Sequence, residues 1–159
     1  MKQARTSHGT FYLYFASKED LFRALALDVT ESMVELARSL PPLTADDTGP
    51  LSEWLEQFQQ LYERNVAVIR TWTEAEMVAS EMGHVGGELV AQFSDRVASR
   101  IREAAPELDP VIAGLALVAM IERSTYYLMT RQLPVDPAEL VVTLASVIQA
   151  GLHGGVAGG

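Results

Sequence analysis

The sequence predicts an all-α protein, a bundle of helices without a sheet, and three observations predict it. Apolar residues recur every three to four positions through long windows of the chain, the spacing of one face of an α-helix. Helix-start signals stand ahead of those windows: Ser17 with Asp20 three residues on, Asp109-Pro110 and Asp136-Pro137. No segment alternates apolar and polar residues as a half-buried strand does, and there is no internal repeat.

The elements follow in order. Ser7 caps a short helix over 8–15. Wound at roughly 100° per residue, it puts Phe11 and Phe15 on one face and Gly9, Thr10 and Leu13 on the other, with Tyr12 and Tyr14 flanking the second face. Ser17 caps the next helix, 18–38, where Glu19 and Asp20 suit the positive end of the helix dipole. Its apolar stripe is Leu21, Phe22, Leu25, Val29, Met33 and Leu36, continuing to Leu40. Proline, aspartate and glycine make 40–50 a loop. Leu51, Trp54, Leu55, Phe58, Leu61 and Tyr62 then repeat at helical spacing against glutamates and glutamines, which gives a helix over 51–69. A further helix over 72–79 is expected after a kink, and the glycine-rich 81–87 is expected to break the chain. The next helix, 88–104, turns Leu89, Val90, Phe93, Val97 and Ile101 inward. Asp109-Pro110 opens a helix over 110–130 whose only charges are Glu122 and Arg123, so burial on more than one side is expected. Asp136-Pro137 opens the last, 137–152, before a glycine-rich tail over 154–159 that is expected to be disordered.

The 8–15 helix has a physical reading. Its phenylalanines anchor it to a core. Its small, uncharged face fits a major groove, which admits one helix, and the tyrosine hydroxyls and Lys18 reach phosphates. On pattern alone it is equally an ordinary amphipathic helix with exposed tyrosines. The run Ser7-His8-Gly9-Thr10-Phe11-Tyr12-Leu13-Tyr14-Phe15-Ala16-Ser17-Lys18-Glu19-Asp20-Leu21 closely resembles the recognition helix and following helix start of TetR-family transcriptional repressors. The resemblance implies a TetR-like fold, with Ser7, His8, Gly9, Thr10 and Leu13 facing bases and Tyr12, Tyr14 and Lys18 facing phosphates. In the family this helix is the third of a three-helix DNA-binding domain. Only five residues precede Thr6 here, so the helix-turn-helix is expected to be incomplete in this form, and specific operator binding by it is not expected. The implied organisation is a partial DNA-binding region over 1–38, a ligand-binding and dimerisation domain over 39–153, and the tail.

Composition bounds the rest. A chain of 159 residues suits one domain, or one domain and a fragment, and can bury about 70% of its unfolded surface. It holds no cysteine, which excludes thiolate metal sites and a cysteine nucleophile and fits a reducing, cytoplasmic setting. No uncharged apolar run of membrane-spanning length and no signal-peptide core is read in it. The net charge is −9, yet residues 1–18 carry Lys2, Arg5 and Lys18 and no acid. A weakly basic tip thus stands on an acidic body.

Trp54, Phe58, Tyr62, Trp72, Met77, Phe93, Met120, Tyr126 and Tyr127 lie on the middle helices. They read either as core packing or as the wall of an apolar ligand pocket. Arg123 is the polar group that either orients a ligand or pairs with Glu122 or Glu74. By the resemblance, the two C-terminal helices pair with those of a second copy in a four-helix bundle, with Leu117, Leu140, Leu144, Val147 and Ile148 at the interface. His8, His84 and His153 are far apart, so no metal is expected; no catalytic constellation or cofactor loop is read either, so no enzyme is expected. The reading is a ligand-responsive regulator that binds operator DNA as a homodimer and is released by an apolar small molecule. The alternative is a ligand-binding and dimerisation module without DNA binding of its own.

Overall fold

The computed structural model describes residues 17–76, 81–130 and 134–154; the side chains at 18, 19, 72–76 and 81–89 are outside that description. These residues form five helices and no strand: α1 (Lys18–Arg38), α2 (Gly49–Glu76), α3 (Glu81–Ala104), α4 (Pro110–Met129) and α5 (Pro137–His153). The all-α expectation holds.

The caps read from the sequence set three of the starts. Ser17 accepts the backbone N–H of Asp20 at 3.0 Å and opens α1. The Asp109 carboxylate accepts from Val111 and Ile112, and that of Asp136 from Ala138 and Glu139, each with proline in the first turn. Two expectations fail between these points. The windows 51–69 and 72–79 are joined through Glu76 in one helix, α2 of 28 residues. No proline interrupts it beyond its first turn, and the Thr71 hydroxyl bonds back to the Ala67 carbonyl at 2.8 Å. The break expected at 81–87 is instead the opening of α3. Glycine weakens a helix by roughly 1 kcal/mol relative to alanine but has no ring to clash with the preceding turn, so three glycines penalise it without ending it.

The core lies where α1, α2, α3 and α5 meet. Val29, Met33 and Leu36 from α1, Leu51, Leu55 and Leu61 from α2, Val97 and Ile101 from α3, and Val141, Leu144 and Ile148 from α5 are all buried in it. Each such aliphatic side chain contributes about 1.5–3 kcal/mol by leaving water. Leu25 and Val90, expected inward, are each 44% exposed, being off the buried line of their helices, which runs through Ala26 and Val29 on α1 and through Phe93 and Val97 on α3. The loop 40–48 is held from outside. Arg100 donates to the Leu40 carbonyl at 3.0 Å, Gln149 to those of Thr44 and Ala45, and the His153 ring lies 3.1 Å from the Leu43 carbonyl.

The α3 and α4 helices pack closely at Gly114. A Cβ on Gly114 would stand 3.2 Å from the Ser94 carbonyl oxygen and 3.2 Å from the Ala98 nitrogen, both backbone atoms that cannot swing aside. Gly151 on α5 has nothing within 4 Å of its Cβ position. Gly114→Val is therefore expected to lower stability by roughly 1–3 kcal/mol through overpacking, and Gly151→Ala to raise it by about 0.5–1 kcal/mol through helix propensity. Urea unfolding monitored by circular dichroism checks both signs.

Candidate functional site

The middle of the bundle is built on α2. Trp54, Phe58 and Tyr62 stand one turn apart on it and meet Phe93 from α3. The Trp54 ring lies 6.0 Å from Phe58 and 5.8 Å from Phe93, Phe58 lies 5.9 Å from Phe93, and Phe58 lies 6.0 Å from Tyr62. These separations are those of favourable offset and edge-to-face ring pairs. All four residues are buried, and the Trp54 indole N–H donates to the Leu36 carbonyl at 2.8 Å. Of the two readings of these aromatics, core packing describes these four: their faces meet one another. Met120 and Tyr126 pack half-buried at the edge of that core, and Tyr127 is exposed. Met77 lies outside the described residues, and so does the side chain of Trp72.

A polar cluster caps the aromatic column. The Tyr62 hydroxyl donates to Glu122 Oε1 at 3.2 Å, joining α2 to α4. The Glu122 Oε2 atom lies 3.6 Å from Arg123 Nε, the ion pair anticipated as one of the roles of Arg123. The Arg123 guanidinium also lies 5.2 Å from the Tyr126 ring centre and 5.8 Å from that of Tyr127, within cation–π range. Its side chain is 49% exposed, so this pair contributes little to stability. Thr125 sits one turn beyond Ile121 on the inward face of α4 and is buried. Its hydroxyl has no hydrogen-bond partner among the described residues, whereas Thr30, Thr71 and Thr130 each bond to the carbonyl four residues back at 2.8 Å. Neither the Tyr62–Glu122 bond nor the orphaned Thr125 hydroxyl was singled out in the sequence. Both depend on the rotation of α4 against α2, which local periodicity does not give.

The outer faces of α4 and α5 differ from the expected interface set. Leu144 and Ile148 are buried against this chain's own core, and Leu117 and Leu140 are half-buried and packed on it. Only Val147 of the five expected interface residues is exposed. This pattern of burial in the single chain has a geometric reason. In α4 the inward stripe is Gly114, Val118, Ile121 and Thr125, which includes the small and polar members of an apolar helix. Large residues are left outside: Val111 at 65% exposure, Ile112 at 69% and Leu115 at 55%, joined on α5 by Val142 and Val147. Gly114 was the available signal, because a glycine in a long apolar helix marks close approach. By length and composition alone, α4 would also reach across a membrane. The packing of one of its stripes on α3 is that of a helix in a bundle.

Of the residues expected at DNA, Ser7, His8, Gly9, Thr10, Tyr12, Leu13 and Tyr14 lie outside the described residues, as does the Lys18 side chain. Among the described residues no group of acids and histidines is arranged to hold a metal.

The Tyr62 phenol has a directional consequence. Burial, then the neighbouring Glu122 charge, raises its pKa well above the ordinary tyrosine value. Because the folded value exceeds the unfolded one, its contribution to stability is complete below about pH 10 and is lost as the pH rises through the folded value. In a spectrophotometric titration, Tyr62 is expected to ionise above the ordinary tyrosine range, and Tyr62→Phe to remove that late step.

Residues 1–25 match the family described as bacterial regulatory proteins, tetR family. No curated protein matches the chain. The matched segment contains the whole of the 7–21 motif and runs into α1, the helix that enters the bundle. The first 25 residues of this chain are thus similar to the tetR family of bacterial regulatory proteins, and the described residues that follow are all-helical.

Proposed function

We propose that the chain works as a ligand-responsive repressor that holds operator DNA as a homodimer. The observation that carries the reading is the family match over residues 1–25 together with the recognition-helix motif inside it. Ser7, His8, Gly9, Thr10 and Leu13 would read bases, and Tyr12, Tyr14 and Lys18 would hold phosphates. A dimer sets its two recognition helices about 34–36 Å apart, one turn of duplex. The exposed apolar residues of α4 and α5 support dimerisation, since apolar patches on a soluble surface mark sites that another protein covers. The effector in this reading is an apolar molecule with one polar end. It enters beside Met120, Tyr126 and Tyr127, with Arg123 and the unpartnered Thr125 hydroxyl as polar groups for its tip. An effector shifts the equilibrium only by its difference in affinity for the two states. It acts here through α1, which leads from the operator end into the core.

The net charge of −9 favours the second reading, a module that binds ligand and dimerises without DNA of its own. Anisotropy titration against duplexes selected from a random library separates the two. Saturable, sequence-selective binding that Tyr12→Phe weakens about equally on every sequence supports the repressor. Sequence-blind or absent binding supports the module.

Dimerisation has its own test. Val142→Glu with Val147→Glu is expected to yield folded monomers in sedimentation, because both side chains are exposed in the single chain. Leu144→Glu is expected to lose roughly 3 kcal/mol or more of folding stability, since it buries an unpaired charge. A double variant that sediments as the native dimer would remove this face from the interface.

A further inference from the structure

A cleft of about 540 Å³ opens between α2 and the ends of α4 and α5, away from the aromatic column. That volume is within the usual range of small-molecule sites. Its lining divides by chemistry. Val66, Leu128, Met129, Pro137 and Ala138 make one wall apolar. Glu56, Gln59, Gln60 and Glu63 make the other, and among the described residues no basic side chain lines it. The glutamates recur on one face of α2, two turns or about 10 Å apart, with the glutamines between them. Neither carboxylate is paired with a cation among the described residues.

Gln59 distinguishes this cleft from a merely acidic surface. It is 7% exposed, the one buried amide in the lining. Its Nε2 donates to the Pro137 carbonyl at 3.4 Å, and that bond fixes which amide atom is nitrogen, because a carbonyl accepts only from N–H. The Oε1 atom is left as an acceptor without a partner among the described residues. A buried polar side chain held in place by one hydrogen bond therefore offers its other end at the lining, between two unneutralised carboxylates. The two carboxylates and the Gln59 Oε1 give the wall an excess of acceptors over the amide N–H donors of Gln59 and Gln60.

We propose that this cleft is a binding site for a small organic cation with an apolar body. Glu56 and Glu63 take the charge, Gln59 Oε1 accepts an N–H, and Leu128, Met129 and Val66 cover the body. Carboxylates bind N–H cations through short, charge-assisted bonds, and the chain's negative field raises the local concentration of cations. An anion would meet the like charge of Glu56 and Glu63. The site stands independently of the operator-release reading, so either can fail alone.

The probe is benzamidinium, with benzamide and benzoate as neutral and anionic matches of the same shape. Binding is followed by calorimetry and by the methyl signals of 13C-methionine protein, in which Met129 lines the cleft and Met33 lies in the core. Benzamidinium is expected to saturate, to move the Met129 signal and to leave Met33 in place, while the two matched compounds do neither. Glu56→Gln with Glu63→Gln, both exposed positions, should weaken binding about tenfold or more at unchanged melting temperature. Binding that survives in the double variant, that benzamide shares, or that leaves Met129 unmoved overturns the proposal. So does the absence of binding at millimolar benzamidinium.

Discussion

The bond from the Trp54 indole to the Leu36 carbonyl is the constraint on which the rest depends. Leu36 lies in the last turn of α1, where its carbonyl also accepts the Ser39 N–H and hydroxyl. A buried indole N–H left without an acceptor costs about 1–3 kcal/mol. The Leu36 carbonyl supplies that acceptor, and the bond ties the end of α1 to α2. The ring then has one place to lie, against Phe58 and Phe93, so α3 is positioned by the same residue. Arg100, from α3, takes the Leu40 carbonyl just beyond, so the turn leaving α1 is held from two sides.

From that junction the bundle loosens in a definite direction. Near Leu36 and Leu40 every inward side chain of α1 is buried, whereas toward its start Phe22 is half-buried and Leu25 exposed. The segment that matches the regulator family ends in that loosely packed start. Local opening free energies follow the number of buried apolar contacts, so the part of α1 nearest the matched segment is the part most easily displaced. The C-terminal part has no such freedom, because α3 and α5 grip the following loop through Arg100, Gln149 and His153.

Much of the fold was legible in the sequence, for local reasons. Ser17, Asp109 and Asp136 are capping residues whose side chains act within three positions, so the starts of α1, α4 and α5 could be read to the residue. The stripe from Leu51 to Tyr62 could be read because its face is uniformly apolar. The failures were all matters of relation between elements. The glycines at 83, 86 and 87 resemble a break when counted and are tolerated when the helix continues. Leu144 and Ile148 were apolar and helical, and nothing in their own segment told which side faced the chain's core. The same holds for the aromatics: residue type allowed both a pocket wall and a packed column, and only the ring positions decided for Trp54, Phe58, Tyr62 and Phe93. Gln59 was invisible because its burial depends on Pro137, 78 residues away.

Helix α4 shows how these constraints combine. An apolar helix usually turns its large residues inward, yet here Gly114 and Thr125 occupy the inward stripe while Val111, Ile112 and Leu115 face out. The reason lies in α3, whose backbone at Ser94 and Ala98 comes so close that a Cβ opposite would press on it at 3.2 Å. Close approach forces the small residue in, and 3.6-residue periodicity then forces its large neighbours out. That arrangement would be unfavourable in water if the outer face stayed bare, since each exposed branched side chain forgoes about 1.5–3 kcal/mol of burial. The charges of α4 are confined to Glu122 and Arg123, and Glu122 is tied back to Tyr62, so the outer face of its first half is left without polar relief. The close seam on one side and the apolar surface on the other therefore have a single origin, the glycine at position 114.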